Sequence, residues 1–234
     1  MRRFWDTVSW DGEPGAFRVL LDGRPVRLPG GTPLRVGSEK LLRAIAAEWQ
    51  AVEVGSTAVS FADLPITRLA GTAQERIAPD PGPTVEAIAK YAETDLLCYR
   101  ADGPEVLVHR QARGWQPWLD WAALSYDAPL RVTAGVAPIR QHRDSVAALR
   151  RAVAVLEVEV LAALGLAVPA LGSLVLGLAM AAGKLDAPEA HALGALDELF
   201  QAEQWGEDAE AAARRTGIAA DIALAAQLIS LSKE

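Results

Sequence analysis

Hydrophobic and polar positions change their rhythm about a third of the way along the chain. In the first third the apolar residues come in short runs. Phe17–Leu21 (FRVLL) and Pro25–Leu28 (PVRL) flank Asp22-Gly23. Asp-Gly supplies the positive φ angles of a two-residue turn, so these runs predict a β-hairpin, which Pro29-Gly30-Gly31 closes. Ser38 then stands where a helix cap belongs, and Leu41, Leu42, Ile45 and Trp49 follow at helical spacing. A short strand is expected around Ala58–Phe61, and behind Pro65 a helical stretch that carries Ile66, Leu69, Ala70 and Ala73.

Ala78 to Pro83 reads Ala-Pro-Asp-Pro-Gly-Pro, three prolines in five positions. Such a run excludes a helix and stiffens the backbone, so a domain boundary is placed here, with domains 1–78 and 79–234. Beyond it the spacing is helical. Thr84 is the expected cap of a helix through Val85, Ile88, Tyr91, Ala92 and Asp95. Trp115, Trp118 and Trp121 lie three residues apart after Gly114, near one helix face, and are expected to bury heavily. Val146, Leu149, Val153, Leu156 and Val160 predict one bundle helix, stopped by Gly165. Leu166–Ala182 is the most apolar window. It falls short of the ~20 apolar residues of a membrane span and holds Pro169, Gly172, Ser173 and Gly177, so it predicts a buried core helix. Asp186 and Glu189 have capping-box form before a helix with Leu193, Leu196, Leu199 and Phe200. A last helix is expected over Ile218–Leu231, with Ile222, Ala226 and Ile229 inward. The fold class is α+β: a small strand-rich α/β N-terminal domain, then a larger all-helical C-terminal domain.

Composition adds limits to this picture. The 234 residues are 51% hydrophobic and 23% charged, enough for a sizeable core without disulfides. A net charge of −7 argues against a nucleic-acid partner, although Arg140, His142, Arg143, Arg150 and Arg151 form a local basic cluster. Cys98 is the sole cysteine, which fits a reducing compartment. The leading MRRFWDTVSWDGE has no apolar stretch after its arginines and turns acidic early. Neither a secretory signal nor a transit peptide is expected, so the expected location is the bacterial cytoplasm, or the mitochondrial matrix for a mature form.

Catalytic motifs are absent from the pattern. Gly177–Leu185 (GLAMAAGKL) is the nearest approach to a phosphate-binding loop, but it has five intervening residues and a leucine where the hydroxyl belongs. His109, His142 and His191 stand at no metal-binding spacing to one another or to Cys98 and read as surface or capping residues. Cys98 sits in Leu96-Leu97-Cys98-Tyr99 and reads as packing. Asp197 and Glu198 are adjacent, point in different directions on a helix, and cannot form an acid/base pair. No catalytic residue, metal or cofactor is expected.

Eight segments taken together resemble one family. They are DGRPVRLP (Asp22–Pro29), AIAAEWQA (Ala44–Ala51), DLPITRLAGTA (Asp63–Ala73), KYAETDLLCYRA (Lys90–Ala101), WQPWLDWA (Trp115–Ala122, after Gln111), RVTAGV (Arg131–Val136), SLVLGLAM (Ser173–Met180) and LDELFQAEQWGE (Leu196–Glu207). Their order and spacing resemble the ATP-twelve family of assembly chaperones. Two departures stand out: Gly71, where the family often has Asn, and Asp208-Ala209-Glu210-Ala211, where it often has Trp-Ala-His. The resemblance implies a small N-terminal α/β domain and a helical C-terminal domain. It also implies a chaperone that binds the unassembled alpha subunit of F-type ATP synthase, without ATP hydrolysis or cofactor; the chain itself is expected to be a monomer without membrane insertion.

Such a holdase needs a surface that stands in for a missing neighbour. Tryptophan is a suitable anchor and carboxylates give a rim direction. Within Leu196–Glu207, Leu199 and Phe200 are expected to face the core, and Glu198, Gln201, Trp205 and Glu207 are the candidate client contacts. Against this stands a core role for Trp205 and a merely solvating role for the acids. Arg68, Asp95, Tyr99 and Arg100 are read as structural or interdomain residues, with Asp95 and Arg100 as a candidate ion pair. Two alternatives are a small-molecule enzyme with a convergent pocket of Arg68, Asp95, Tyr99 and a histidine, and a permanent structural subunit of a complex.

Overall fold

The hairpin forms where Asp-Gly places it. In the computed structural model, which describes residues 3–54, 56, 59–135 and 137–233, Asp22 (φ 48°) and Gly23 (φ 78°) make the turn. β1 (Val8–Asp11), β2 (Arg18–Leu21) and β3 (Arg24–Pro25) form an antiparallel sheet in that order, with Val8 opposite Leu21 and Leu20 opposite Pro25. β1 is a strand that the apolar runs do not predict, and it buries little: in Val8–Asp11 (VSWD) only Val8 is even half-buried. Asp22 also accepts bonds from the Asp6 and Thr7 amides, so one turn residue fixes the strand that leads in.

By its internal contacts the chain divides into two units. The first is Met1–Pro81 with Glu157–Ala163 and Gln227–Glu234; the second is Gly82–Leu156 with Leu164–Ala226. In the first, α1 (Glu39–Ala51) starts at Ser38, whose side chain accepts from the Lys40 and Leu41 amides, and buries Leu41, Leu42, Ile45 and Trp49. Trp5 packs edge-on against Trp49, ring centroids 5.1 Å apart. α2 (Pro65–Thr72) has no cap of its own. Glu48 of α1 supplies one, accepting from the Ile66 and Thr67 amides at 2.6 and 2.8 Å. Gly71 lets α2 approach the segment after β3, since a Cβ there would lie 2.6 Å from Leu28 Cδ2. Ala58 lies outside the described residues, and Phe61 opens a short helical turn (Phe61–Asp63) capped by Ser60 rather than ending a strand.

The second unit is helical. α3 (Gly82–Ala89) begins two residues before Thr84, inside the proline run, because Pro83 in a first turn forfeits no helical bond. The helix does not reach Asp95, which instead caps the short turn Leu96–Cys98. β4 (Tyr99–Arg100) pairs in parallel with β5 (Thr133–Ala134). α4 (Glu105–Tyr126) buries Leu107, Gln111, Trp115, Leu119 and Ala122 along one stripe. Trp115 is fully buried, whereas Trp118 and Trp121 are half-buried and pack edge-to-face, ring centroids 6.3 Å apart. Steps of three turn about 60° short of a full circle, so the third tryptophan has left the buried stripe.

Three predicted helices are each split in two. α5 (Arg143–Ala154) and α6 (Val158–Leu171) divide the Val146–Val160 pattern, and Gly165 lies inside α6. Gly172 (φ 64°) and the capping side chain of Ser173 separate α6 from α7 (Leu174–Ala181), which is buried almost throughout. Gly177 belongs to packing: a Cβ would lie 2.5 Å from Val168 Cγ2. α8 (Ala187–Gly194), capped by Asp186, ends at Ala195 before α9 (Leu196–Trp205). α10 (Ala209–Ser232) begins nine residues before Ile218 and buries Ile222, Ala225, Leu228 and Ile229. Among the described residues no helix is long and apolar enough to cross a membrane.

Candidate functional site

α9 presents two unlike faces. One is fastened to α4. Gln111 is buried; its Nε2 donates to Asp197 Oδ1 at 2.7 Å, while its Oε1 accepts from the Ala101 amide. Arg110 lies 5.3 Å over the Phe200 ring and pairs with Glu203 at 2.6 Å. Trp115 Nε1 donates to the Leu193 carbonyl at 2.9 Å just before α9 begins. Gly114 makes room, because a Cβ there would lie 3.2 Å from Leu193 Cδ2. Phe200 is buried as expected, and Leu199 is half-buried.

The other face carries Glu198, Gln201 and Trp205, whose spacing of three and four aligns them in one stripe. Gln201 is exposed and Trp205 is 79% exposed. Gly206 (φ 90°) ends the helix there, and Glu203, Glu207, Asp208 and Glu210 are exposed around that end. An indole left in water by a well-fastened helix is not a core residue. Phe200, Gln111 and Trp115 hold the helix, and Trp205 contributes nothing to that anchorage.

Glu198 and Glu207 already have partners. Arg215 of α10, with only 8% of its side chain exposed, lies 2.5 Å from Glu207 and 3.7 Å from Glu198, and Arg214 lies 3.4 Å from Glu198. A buried guanidinium thus clips α10 to both ends of the segment, and the fork geometry of arginine suits two carboxylates. Beside it is a cavity of about 60 Å³ bounded by His191, Glu198, Arg215 and Ile222, and the buried His191 Nε2 has no hydrogen-bond partner among the described residues. The adjacent pair Arg214-Arg215 in an alanine-rich stretch is the one local sign of Arg215, because its partners Glu198 and Glu207 fall outside the three- and four-residue spacing of pairs on one helix.

The remaining candidates do not converge. Asp95 is fully buried; it accepts from the Leu97 amide at 3.1 Å and, at the start of α7, from the Val175 amide at 3.0 Å. Burial pushes its carboxyl up to about 6 against the pull of these bonds. Arg100 turns elsewhere, donating to the Leu97 and Gln111 carbonyls and lying 5.3 Å over the Trp115 ring. The expected Asp95–Arg100 ion pair is therefore replaced by backbone bonds on both sides. Burial also pushes the Cys98 thiol up to about 12, which leaves it an inert packing group. Arg68 is exposed on α2, beside a cavity of about 120 Å³ in the first unit, while Tyr99 lines a groove of the second. Arg68 belongs to the first unit, and Asp95 and Tyr99 to the second. Among the described residues no three His, Cys, Asp or Glu side chains gather to hold a metal ion.

Residues 2–123 match the pattern of the ATP12 chaperone protein family. The mitochondrial protein atp12 of Schizosaccharomyces pombe is 28% identical over 225 residues, which span 89% of this chain and 75% of that protein. The crystal structure of Atp12 from Paracoccus denitrificans superposes with a TM-score of 0.93 at 46% identity, covering 99% of this chain and 98% of that one. The Atu1473 protein of Agrobacterium tumefaciens superposes with a TM-score of 0.91 at 38% identity, covering 99% and 86%. With a family match over half its length and relatives along nearly all of it, this chain belongs to the ATP12 family, chaperones of ATP synthase assembly.

Proposed function

We propose that this chaperone holds the unassembled alpha subunit of F-type ATP synthase until a beta subunit displaces it, with the Trp205 end of α9 as its contact. Obligate subunit interfaces are large and apolar, so a free alpha subunit exposes surface that drives aggregation. A holdase must cover that surface reversibly and lose to the true partner. The single observation behind this assignment is the 79% exposure of Trp205 at the end of a helix whose other face is firmly anchored. Indoles are enriched among interface anchors, and the carboxylates around Trp205 supply an acidic rim that orients a client.

Gln201 and Trp205 are the direct contacts in this scheme. Glu198 and Glu207 act together with Arg215, which fixes where their charges lie. Arg68, Asp95, Tyr99 and Arg100 have structural roles. No bond is made or broken, no cofactor takes part, and one copy of the chain suffices. The cytoplasm of a bacterium, or the mitochondrial matrix, is where such a client is made or imported.

Gel filtration of the chain mixed with purified alpha subunit tests the assignment. A stoichiometric complex that dissolves when beta subunit is added is expected. Glu207→Lys sets a like charge against Arg215 and reverses part of the rim, and is expected to weaken the complex about tenfold while far-ultraviolet circular dichroism is unchanged. An alpha subunit that elutes alone contradicts the assignment. A complex that persists with beta present identifies a permanent subunit instead.

A further inference from the structure

The second unit carries an open groove of about 780 Å³, within the size range of ligand sites, on the side defined by Tyr99 and the start of α5. Its apolar lining is Tyr99, Ile139 and Val146, each half-buried. Arg140 and Arg143 border it, are exposed, and form no ion pair among the described residues. Arg150, also on the border, is occupied by Glu86, to which its Nε donates at 2.6 Å. The arm that carries Ile139 and Arg140 is pinned rather than loose. Buried Gln141 exchanges bonds with the Arg131 amide (2.8 Å) and carbonyl (2.9 Å), and Ser145 Oγ donates to the Pro129 carbonyl (2.8 Å).

We propose that this groove binds an acidic, extended polypeptide segment of the client, with carboxylates on Arg140 and Arg143 and an apolar side chain on the Tyr99–Ile139–Val146 floor. Charge selects this occupant. Two uncommitted guanidiniums in a chain of net charge −7 mark a local site for an anion. Guanidinium forks match carboxylates in geometry as well as charge. A nucleic acid fits less well: its affinity comes from many phosphate contacts, whereas this groove offers two free arginines and Glu93 on its wall, inside an acidic molecule. A segment with apolar as well as acidic side chains uses both kinds of lining. The identity of the client rests on the function proposed above, but the groove's preference for an acidic peptide does not.

Fluorescence anisotropy of a labelled peptide that alternates glutamate with leucine, added to the intact chain, reads this preference directly. Binding is expected to weaken with salt and to fall about a hundredfold in the Arg140→Ala/Arg143→Ala variant, about tenfold for each of the two charge-assisted contacts removed. It should also be lost in Ile139→Glu, which places a carboxylate on the floor, and be unchanged in Trp205→Ala. Circular dichroism checks that each variant is folded. Equal binding of the glutamine–leucine counterpart, or unaltered binding by both groove variants, overturns the proposal. Tighter binding of a labelled single-stranded oligonucleotide than of the acidic peptide also overturns it, in favour of nucleic acid. Because no alpha subunit is present, failure here leaves the α9 contact standing, and failure of the α9 contact leaves the peptide result interpretable.

Discussion

Asp95 shares its oxygens between the amides of Leu97 and Val175, yet loss of solvent outweighs these bonds and moves its carboxyl from 3.8 up to about 6. The folded value lies above the unfolded one, so the folded state holds the proton more tightly. Stability from this group is full below about pH 4 and is lost as pH rises through about 6, a swing of about 3 kcal/mol. Asp95→Asn removes that titration. In urea unfolding, the wild type is expected to lose about 3 kcal/mol relative to Asp95→Asn between about pH 4 and about pH 7. A difference that does not vary with pH contradicts the raised value. At this scale the legible residues are those whose partners are near in sequence. Ser38 and Asp186 cap helices where the sequence puts them, at separations of two or three residues. Glu48 caps α2 from 18 residues away and Gln111 reaches Asp197 across 86, distances at which no local pattern survives.

At the scale of elements, apolar periodicity located the helices but fused them. Val146–Val160 continues its rhythm across the gap between α5 and α6, because the residues on both sides are wanted inside. The break between α6 and α7 is set by a positive φ at Gly172 and a serine cap, details finer than hydropathy. Gly177 shows what the close approach of these two helices requires. Alanine has the better helix propensity by about 1 kcal/mol, but its Cβ would lie 2.5 Å from Val168 Cγ2, on a stiff β-branched side chain. Gly177→Ala is therefore expected to destabilise the chain by about 1–3 kcal/mol in chemical denaturation, and Val168→Ala in the same chain to recover part of it. Stabilisation by Gly177→Ala alone would mean that α6 and α7 have slack between them.

For the whole molecule, the change of rhythm from short apolar runs to helical spacing made the α+β class legible, and the order of eight segments made the family legible. The surface proposed for the client was marked only in part. The sequence singled out Leu196–Glu207 but left Trp205 between core and surface, because an indole at the end of an amphipathic helix satisfies either pattern. Its 79% exposure and the anchors on the opposite face resolve that ambiguity. Removing it is a surface change, so Trp205→Ala is expected to alter stability by no more than about 0.5 kcal/mol. Light scattering from purified alpha subunit, warmed alone, with this chain and with Trp205→Ala at equal molar ratio, is the most direct test. Suppression by the parent chain and its loss in the folded Trp205→Ala variant are expected. Equal suppression by both would show that the client docks elsewhere, and scattering unchanged by either would remove the alpha subunit as client.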